Sequence, residues 1–412
     1  MKILFITARY YPEGAGSGKS VRNLARYLAS IGHDIIVACL HEGQNKRIEM
    51  REGVKIYYLP IRNIYGLNPH QKPAIAKAIW HGIDAWNPMA MHDIAHVLDQ
   101  EKPDVVNTNV IAGCSAGIFQ AIKCRNIPLV HTLRDYYLIC AQSGMFKRGK
   151  ACETLCRACN ILAQPRKFLA RYVDLFLANS EFVLDRHRQY GVIAGDGSAR
   201  VLLNMNESGA IAAPRGKLET VRFGYIGRVA PVKGIESIFE AVSEISVKGW
   251  SLKIAGDGEA NYFQSITSMA AASPYADAIE MMGRVDADAF YQNIDVLICP
   301  SVYAEPLPRV IYEAYAHGVP VITSDAGGSP EIVSHGKTGF VYPAGDAKAL
   351  AGFMQQFIDD AVNDQPFYPL MSRCAADMAM NFTPAVIGEN YLSAIEDLLR
   401  QRAPRSDGGQ HG

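Results

Sequence analysis

Two glutamates eight residues apart, Glu305 and Glu313, lie in the most distinctive stretch of the sequence, AEPLPRVIYEAYAHGVPVITSDAGGSPEIV. A helix is predicted to begin near Pro308 or Arg309, because proline suits the first turn of a helix. Glu305 then lies in the preceding loop, and Glu313 lies one turn inside the helix. The amides at a helix start favour an anion such as a nucleotide phosphate, and nearby carboxylates suit sugar or ribose hydroxyls. The alternative is that Glu305 only charges the helix start and Glu313 lies on the surface.

Two cations, Arg228 and Lys233, follow an apolar run in GYIGRVAPVKGI. Both come just after the predicted end of a strand. There, the planar fork of arginine and the point charge of lysine could clamp a diphosphate. Taken alone, two surface cations in a loop are the simpler interpretation.

The glycine loop PEGAGSGKS, residues 12–20, follows an apolar run and precedes a helical pattern, which is the setting of a nucleotide-binding P-loop. A P-loop needs glycine where this chain has Glu13. An NTPase would therefore explain only Gly18, Lys19 and Ser20. Lys19 and Ser20 are expected to start the helix outside the reach of a phosphate.

Four of the nine cysteines are clustered: Cys140, Cys152, Cys156 and Cys159. Four thiolates could close a tetrahedral zinc site that orders a polar loop. The irregular spacing leaves two alternatives open, namely unconnected reduced thiols and a redox-sensitive pair.

Residues 147–171 carry seven cations and one acid, Glu153. Such a stretch could rest against anionic lipid, or it could be an ordinary solvated face. Trp80 and Trp86 lie on a mostly apolar helical segment and are expected to pack in the core. The cations are Lys147, Arg148, Lys150, Arg157, Arg166, Lys167 and Arg171.

The composition is that of an ordinary globular enzyme, with 412 residues, 49% hydrophobic and 20% charged. Lys plus Arg equals Asp plus Glu at 41 each, which argues against a protein built to hold nucleic acid. The chain enters a short strand directly after Met-Lys, so we expect no signal peptide. No apolar run approaches the ~18 residues that a membrane-spanning helix needs. A cytoplasmic protein is expected, either free or on the cytoplasmic face of a membrane.

Short apolar runs alternate with helix-length segments along the whole chain, which predicts α/β domains whose parallel sheets are covered on both faces. The pattern restarts after a looser segment, so two doubly wound, Rossmann-like domains should face a central cleft. The predicted divisions are residues 1–203, a linker at 204–218, a second domain at 219–384, a helix at 385–402 and a disordered tail at 403–412.

These motifs together resemble family 4 glycosyltransferases of the GT-B fold. The resemblance rests on GYIGRVAPVKGI, the GDGE turn at residues 256–259, GRVDADAFYQNIDVLICPS and the Glu-x7-Glu stretch, and the opening strand, glycine loop and helix are also similar. It implies retaining transfer of a sugar from a UDP- or GDP-linked donor to a saccharide or lipid-linked saccharide, without a metal cofactor. It also implies a first domain that binds the acceptor, a second domain that binds the donor, and a C-terminal helix that crosses back to the first domain.

The resemblance also assigns roles to residues. Glu313 should hold the ribose, and Glu305 should contact the donor sugar and phosphate together with the amides of residues 307–309. Arg228 and Lys233 should hold the diphosphate. The implied donor-binding residues are Gly16, Arg228, Lys233, Gly256, Glu305, Pro306, Leu307, Pro308, Arg309 and Glu313.

Arg134 and Asp135 occupy the place where a branch of the family has a His-Asp pair. Arg134 could steady a phosphate or sugar hydroxyls, while Asp135 could accept the acceptor's proton or only fix Arg134. The implied catalytic residues are Glu305, Arg228, Lys233, Asp135 and Arg134. The departure at Arg134 keeps a catalytically degenerate nucleotide-sugar binder open as an alternative, and a GT-B nucleotide-sugar epimerase is another.

Overall fold

The first half of the chain forms an eight-stranded sheet in the computed structural model, which describes residues 1–11, 16–67, 72–147, 149–194, 198–207, 209–363 and 366–402. The strands, in chain order, are β1 (Lys2–Thr7), β2 (Asp34–His41), β3 (Arg47–Arg51), β4 (Val54–Pro60), β5 (Val105–Thr108), β6 (Leu129–Leu133), β7 (Phe146–Lys147), β8 (Lys150–Ala151), β9 (Leu175–Ala178) and β10 (Ala199–Val201). The sheet order is β10-β9-β6-β5-β1-β2-β4-β3, and β7 pairs with β8 in a separate hairpin. Within the large sheet only the pair β3-β4 is antiparallel.

Both faces of this sheet are buried, as its apolar strands predict. Leu4 and Ile6 of β1 belong to one hydrophobic cluster, while Ile3 and Phe5 belong to another on the opposite face. Successive strand residues point to opposite faces, so a run that is apolar throughout needs cover on each side. The helices of this half are α1 (Ser17–Ser30), α2 (Ala74–Ala85), α3 (Pro88–Glu101), α4 (Ile118–Lys123), α5 (Arg157–Ala170) and α6 (Glu181–Gln189).

The second half repeats this design with a six-stranded, all-parallel sheet in the order β13-β12-β11-β14-β15-β16. Its strands are β11 (Val221–Ile226), β12 (Trp250–Ala255), β13 (Ile279–Gly283), β14 (Val296–Cys299), β15 (Val321–Ser324) and β16 (Gly339–Tyr342). Its helices are α7 (Glu236–Ser243), α8 (Ala260–Ala272), α9 (Ala287–Gln292), α10 (Arg309–Ala316), α11 (Ser329–Ile332), α12 (Ala347–Asn363) and α13 (Phe367–Ala379). Short 3-10 turns cover Pro231–Lys233, Ala276–Ala278 and Met380–Phe382. The prediction of two doubly wound α/β domains is confirmed.

The last helix, α14 (Pro384–Arg402), returns to the first domain and packs against α1. Tyr391 stacks on Phe5 of β1 with ring centroids 6.0 Å apart, and its hydroxyl accepts a hydrogen bond from the Asn107 side chain at 3.2 Å. The predicted crossing back is therefore confirmed. The predicted tail at residues 403–412 lies outside the described residues.

The predicted linker at residues 204–218 falls between β10 and β11. The structure assigns no helix or strand to those of its residues that it describes. Among the helices of the described ranges, none combines the length and apolarity needed to cross a membrane.

Candidate active site

A cleft of about 260 Å³ lies between the two domains. Its walls include residues that follow the carboxyl ends of strands in both sheets, where ligands of open α/β sheets bind. Gly16, Ser17 and Ser20 follow β1, while Arg134 follows β6 and Asn179 follows β9. The second domain contributes Gly227, Lys233, Ser301, Tyr303 and Glu305 to Val310. Ser20 therefore lines the cleft, while its expected position beyond the reach of a phosphate stays a prediction.

Glu305 is held at the floor of the cleft by two partners. Its Oε1 atom lies 2.6 Å from the ammonium nitrogen of Lys233 and also accepts a hydrogen bond from the Ser301 hydroxyl. The residue is only 7% exposed, and a buried carboxylate costs free energy unless partners of this kind satisfy it. Two residues implied as catalytic, Glu305 and Lys233, are thus brought together.

The loop that carries Glu305 rests on a glycine pair. Gly327 has a φ of 73°, and a Cβ at this position would lie 2.1 Å from the Glu305 carbonyl oxygen. The Gly328 amide donates to the same oxygen at 2.9 Å. A side chain at Gly327 would therefore displace the loop before α10.

Helix α10 starts at the cleft wall. Pro306, Leu307, Pro308, Arg309 and Val310 all line the cleft. Pro308 has no N–H group, so the expected set of amides at residues 307–309 needs correction. Val310 has an N–H group and also lines the cleft. No acidic residue lies in the first turn of this helix, whose positive end therefore faces the cleft without a neighbouring carboxylate from that turn.

Glu313 does not line the cleft. Its Oε1 atom lies 2.6 Å from Arg309 Nη2, and its Oε2 atom accepts a hydrogen bond from the Tyr291 hydroxyl at 3.2 Å. Burial alone would raise the pKa of Glu313, but the Arg309 guanidinium outweighs this effect and lowers it. The expected contact of Glu313 with ribose stays a prediction.

The Arg309 side chain connects the domains, which the sequence reasoning missed. Its Nη1 atom lies 3.4 Å from the Gly16 carbonyl oxygen and 3.3 Å from Ser20 Oγ, both in the first domain. Lys19 stands beside this contact, with its ammonium nitrogen 2.7 Å from Glu207 and 4.0 Å from Glu313. Residues 16–20 and α10 thus meet through the side chains of Arg309 and Lys19.

Arg228 and Gly256 lie outside the cleft lining. Arg228 is exposed, and its carbonyl oxygen accepts a hydrogen bond from Tyr225 at 2.8 Å. Gly256 has a φ of 132°, and a Cβ there would lie 1.7 Å from the Gly227 carbonyl oxygen. Gly256 therefore supports the Gly227 loop from behind, and the roles expected of both residues toward the donor stay predictions.

Arg134 lines the cleft and is fixed by two asparagines. Its Nε atom donates to Asn109 Oδ1 at 3.0 Å, and Nη1 donates to the side-chain oxygen of Asn204. Burial lowers the pKa of Arg134 to about 10, so the guanidinium stays charged at neutral pH.

Asp135 follows Arg134 but does not line the cleft. Its Oδ1 atom accepts a hydrogen bond from the Tyr137 amide at 3.0 Å, and burial raises its pKa to about 6. Asn109 and Asn204 are the hydrogen-bond partners found for the Arg134 side chain within the described ranges, so the option that Asp135 only fixes Arg134 finds no support.

Asn179 is a further cleft residue that the sequence reasoning missed. It is 3% exposed, and its Oδ1 atom has no hydrogen-bond partner among the described residues. A buried amide oxygen without a partner is uncommon and costs free energy unless a ligand or water satisfies it. The signal in the sequence is its position directly after the apolar run DLFLA, at a strand end that borders the cleft.

Four hydrogen bonds hold the Glu305 loop and α11 against the first domain. The Tyr136 hydroxyl donates to the Ala304 carbonyl oxygen at 2.7 Å, and the Ser180 hydroxyl donates to the Pro306 carbonyl oxygen at 2.6 Å. The Glu331 carboxylate accepts hydrogen bonds at 2.7 Å from two amides at the start of α6. The site is therefore assembled from both domains.

The four clustered cysteines share one small pocket of about 120 Å³. The Cys159 and Cys140 sulfurs are 3.8 Å apart. As the side chains stand, the described ranges contain no group of three or more His, Cys, Asp or Glu residues that could hold a metal ion. The zinc site stays a prediction.

One residue of the basic stretch does not lie on a charged surface. Arg166 is fully buried, donating to the Tyr137 carbonyl oxygen at 3.0 Å, so it does not contribute to a charged surface. Arg148 lies outside the described residues.

The two tryptophans differ in burial. Trp80 is buried as predicted. The prediction for Trp86 is wrong, because this residue is 52% exposed and its indole N–H donates to the Gln120 side chain at 3.2 Å.

Two family descriptions match the chain, "Glycosyltransferase Family 4" over residues 14–198 and "Glycosyl transferases group 1" over residues 220–360. An uncharacterized 42.6 kDa protein in the cps region of Klebsiella pneumoniae is 30% identical over 334 residues, which cover 81% of this chain and 87% of that protein. The capsular polysaccharide biosynthesis glycosyltransferase CapM of Staphylococcus aureus is 32% identical over 183 residues, 43% of this chain and 46% of CapM.

Solved structures share the fold. The structure of HepE from Anabaena in complex with UDP matches with a TM-score of 0.72 at 19% identity, over 96% of this chain and 100% of HepE. The structure of sucrose-phosphate synthase from Thermosynechococcus elongatus matches with a TM-score of 0.76 at 17% identity, over 97% of this chain and 99% of the synthase. Two α/β domains that meet at such a cleft define a GT-B protein. With both family descriptions and the Klebsiella relative, the chain belongs to the family 4 glycosyltransferases.

Proposed function

We propose that this protein is a retaining, metal-independent glycosyltransferase that uses a UDP- or GDP-linked sugar. Its acceptor would be a saccharide or a lipid-linked saccharide in the synthesis of a cell-surface polysaccharide or glycolipid. The observation that carries the proposal is the charge of the cleft. Three cations, Arg134, Lys233 and Arg309, line it together with one carboxylate, Glu305.

This charge pattern suits the chemistry of a leaving diphosphate. Negative charge grows on the diphosphate oxygen as its bond to the anomeric carbon breaks, while the sugar gains oxocarbenium character. Preorganised cations and the amides at the start of α10 would stabilise that charge without a metal ion. Lys233 is the best placed of these cations, because its ammonium nitrogen lies 2.6 Å from Glu305 Oε1, an atom that also accepts a hydrogen bond from the Ser301 hydroxyl.

Glu305 is suited to hold a donor hydroxyl rather than to attack the sugar. It is buried, and its Oε1 atom is already engaged by Lys233 and Ser301. A carboxylate stabilised in this way is a weak nucleophile but a good hydrogen-bond acceptor.

The acceptor would bind in the first domain. A pocket of about 470 Å³ there is lined by the aromatic rings of Tyr65, Trp80 and Tyr137, with Gln142 and Lys77 at its polar positions. A sugar ring would rest on the apolar wall that these residues form, and the polar groups can orient its hydroxyls. Residues 134–143 link this pocket to the cleft, because Arg134 lines one and Tyr137 the other.

Contact with a membrane would deliver a lipid-linked acceptor to this pocket. Ile75 and Ile79 on α2 are 76% and 51% exposed, and Ile161 and Phe168 are exposed on α5, which packs against α2. The basic stretch carries four exposed cations, of which Arg157 begins α5 and Arg171 directly follows it. Apolar side chains with cations beside them are typical of helices that bind anionic lipid surfaces. The exposed cations of this stretch are Lys147, Lys150, Arg157 and Arg171.

The proposal is tested by incubating the purified protein with a panel of UDP- and GDP-sugars and lipid-linked acceptors without added divalent cations. One donor is expected to raise the melting temperature by mass action and to yield a product with the donor's anomeric configuration, measured by proton NMR. Binding without turnover on any acceptor would instead indicate the degenerate binder. An inverted anomer, or a strict need for added metal, would contradict the mechanism.

A further inference from the structure

The cysteine pocket is formed by three short segments of the first domain. Cys140 ends the segment that follows Asp135, Cys152 follows the β7–β8 hairpin, and Cys156 and Cys159 lie at the start of α5. All four side chains line the same pocket of about 120 Å³. Cysteines 19 positions apart, Cys140 and Cys159, are thus brought into contact.

The spacing of the first sulfur pair fits a metal ion between them. Cys159 Sγ and Cys140 Sγ lie 3.8 Å apart, too far for a disulfide bond. Four sulfurs at the ~2.3 Å distance typical of zinc form a tetrahedron whose edges are ~3.8 Å long. This pair therefore already has the separation of one edge of a zinc tetrathiolate.

The wall of the pocket suits negatively charged sulfur. Gln142, Met145 and Ala158 line the pocket together with the four cysteines. Backbone amides near metal-bound sulfur orient it and offset its charge.

We propose that Cys140, Cys152, Cys156 and Cys159 bind one structural zinc ion. Each thiol gives up its proton as its sulfur binds, so one Zn²⁺ and four thiols become a complex of charge 2− with release of four protons. Cys152 and Cys156 are half-buried and turn toward the Cys140–Cys159 pair as the ion enters, which completes a site that is unfinished in the present side-chain arrangement. Lys147 lines the same pocket, and its positive charge would offset part of the negative charge of the complex.

The ion would act as a positioning element for the donor cleft. The segment that it orders includes Phe146, whose ring packs edge-on against Tyr303 with centroids 6.4 Å apart. Tyr303 lines the cleft. The segment begins at Cys140, four residues after Tyr136, whose hydroxyl donates a hydrogen bond to the Ala304 carbonyl oxygen. This inference does not rest on the proposed reaction, because the site would bind zinc whether or not the protein transfers sugar.

The test is elemental analysis of the full chain, purified in a reducing buffer without chelator. About one zinc per chain is expected, falling below ~0.2 in Cys156→Ser and Cys159→Ser. The matched control is Cys124→Ser, which removes an exposed cysteine outside the pocket and should keep the full zinc content. Circular dichroism of each variant separates loss of the ion from loss of the fold.

A second measurement uses the unaltered protein and therefore does not depend on whether the variants fold. Alkylation in native buffer, mapped by mass spectrometry, should leave all four pocket cysteines unmodified until a strong zinc chelator is added. Zinc below ~0.2 per chain, or alkylation of the four cysteines at the same rate with and without chelator, would overturn the proposal. A Cys140–Cys159 disulfide in protein purified without reductant and lacking zinc would overturn it in favour of a redox pair.

Discussion

The Lys233 ammonium nitrogen lies 2.6 Å from Glu305 Oε1, although the two residues are 72 positions apart in the chain. Lys233 ends a 3-10 turn after β11, while Glu305 belongs to the loop between β14 and α10. The pair joins two strand ends of the second sheet at the cleft. In the proposed reaction, this ammonium group would face the leaving diphosphate.

Replacing Lys233 with alanine should lower kcat by at least ~100-fold, because a preorganised charge at the leaving group would be lost. Turnover of the radiolabelled donor measures the effect. Lys348→Ala removes an exposed lysine of α12 and should leave turnover unchanged. If Lys233→Ala were nearly as active as the unaltered protein, Lys233 would have no role in catalysis.

Arg228 should move to the diphosphate when the donor binds, since its side chain is exposed and no ion pair holds it within the described residues. Arg228→Ala is therefore expected to weaken nucleoside diphosphate binding by at least ~10-fold, the worth of a charge-assisted contact. Calorimetry measures the affinity. Arg284→Ala provides the control, because Arg284 is also exposed in a neighbouring loop but pairs with Asp257 at 2.7 Å. Equal affinity in both variants would place the diphosphate elsewhere.

The pH dependence of kcat/KM should follow the ionisation of the Asp135 carboxyl group. Its pKa is raised to about 6 by burial, so the carboxylate is ionised at neutral pH and protonated below that value. If it accepts the acceptor's proton or orients the acceptor, kcat/KM should fall as the pH drops through 6. Asp135→Asn should lower the rate at least ~10-fold and remove this acidic limb.

The raised pKa of Asp135 also makes the stability of the protein depend on pH, and stability should fall where the rate rises. The fold favours the protonated acid, so ionisation of Asp135 should cost stability as the pH rises from its usual pKa toward 6. Asp135→Asn should therefore raise the melting temperature above pH 6 and change it little near pH 4. Asp84, whose pKa burial also raises to about 6, is the control, since Asp84→Asn should leave the acidic limb of the rate profile in place. Loss of that limb in Asp84→Asn alone would contradict the role of Asp135.

The sheets and the position of the cleft follow from the sequence because they depend on repeated patterns. Strands such as β1 are apolar on both faces, and this pattern alone implies a parallel sheet covered on each side. The position of Glu305 in a loop is likewise predictable, since Pro308 in the sequence indicates that a helix begins just after it. These features need only local chain geometry.

Contacts between distant side chains could not be read from the same patterns. Arg309 reaches Gly16 across the cleft, and this contact depends on how two separate domains meet. Glu313 is drawn to Arg309 one helical turn away, which removes it from the cleft lining. Arg166 looks like one more surface cation in a basic run, yet it is buried because α5 turns it toward Tyr137.

Asn179 should contact the ligand through its unpartnered amide oxygen. Asn179→Ala is expected to raise KM for donor or acceptor by about 2- to 10-fold, the worth of a neutral hydrogen bond, with little change in melting temperature. Steady-state kinetics with each substrate varied in turn shows which one it contacts. Asn293→Ala, which removes an exposed amide of the second domain, should leave both KM values unchanged. An unchanged pair of KM values in Asn179→Ala would mean that water satisfies this oxygen.

The exposed apolar side chains of α2 should bind anionic membranes. Ile75→Glu combined with Ile79→Glu places two like charges on that face, so association with vesicles containing phosphatidylglycerol should fall at least ~10-fold in a sedimentation assay. Val362→Glu is the matched control, because Val362 is 69% exposed on α12 of the second domain. The expected result is reduced vesicle binding in the α2 variant, with transfer to a water-soluble acceptor retained. Equal binding by the α2 variant and the control would show that α2 is not the membrane face, even if the protein transfers sugar as proposed.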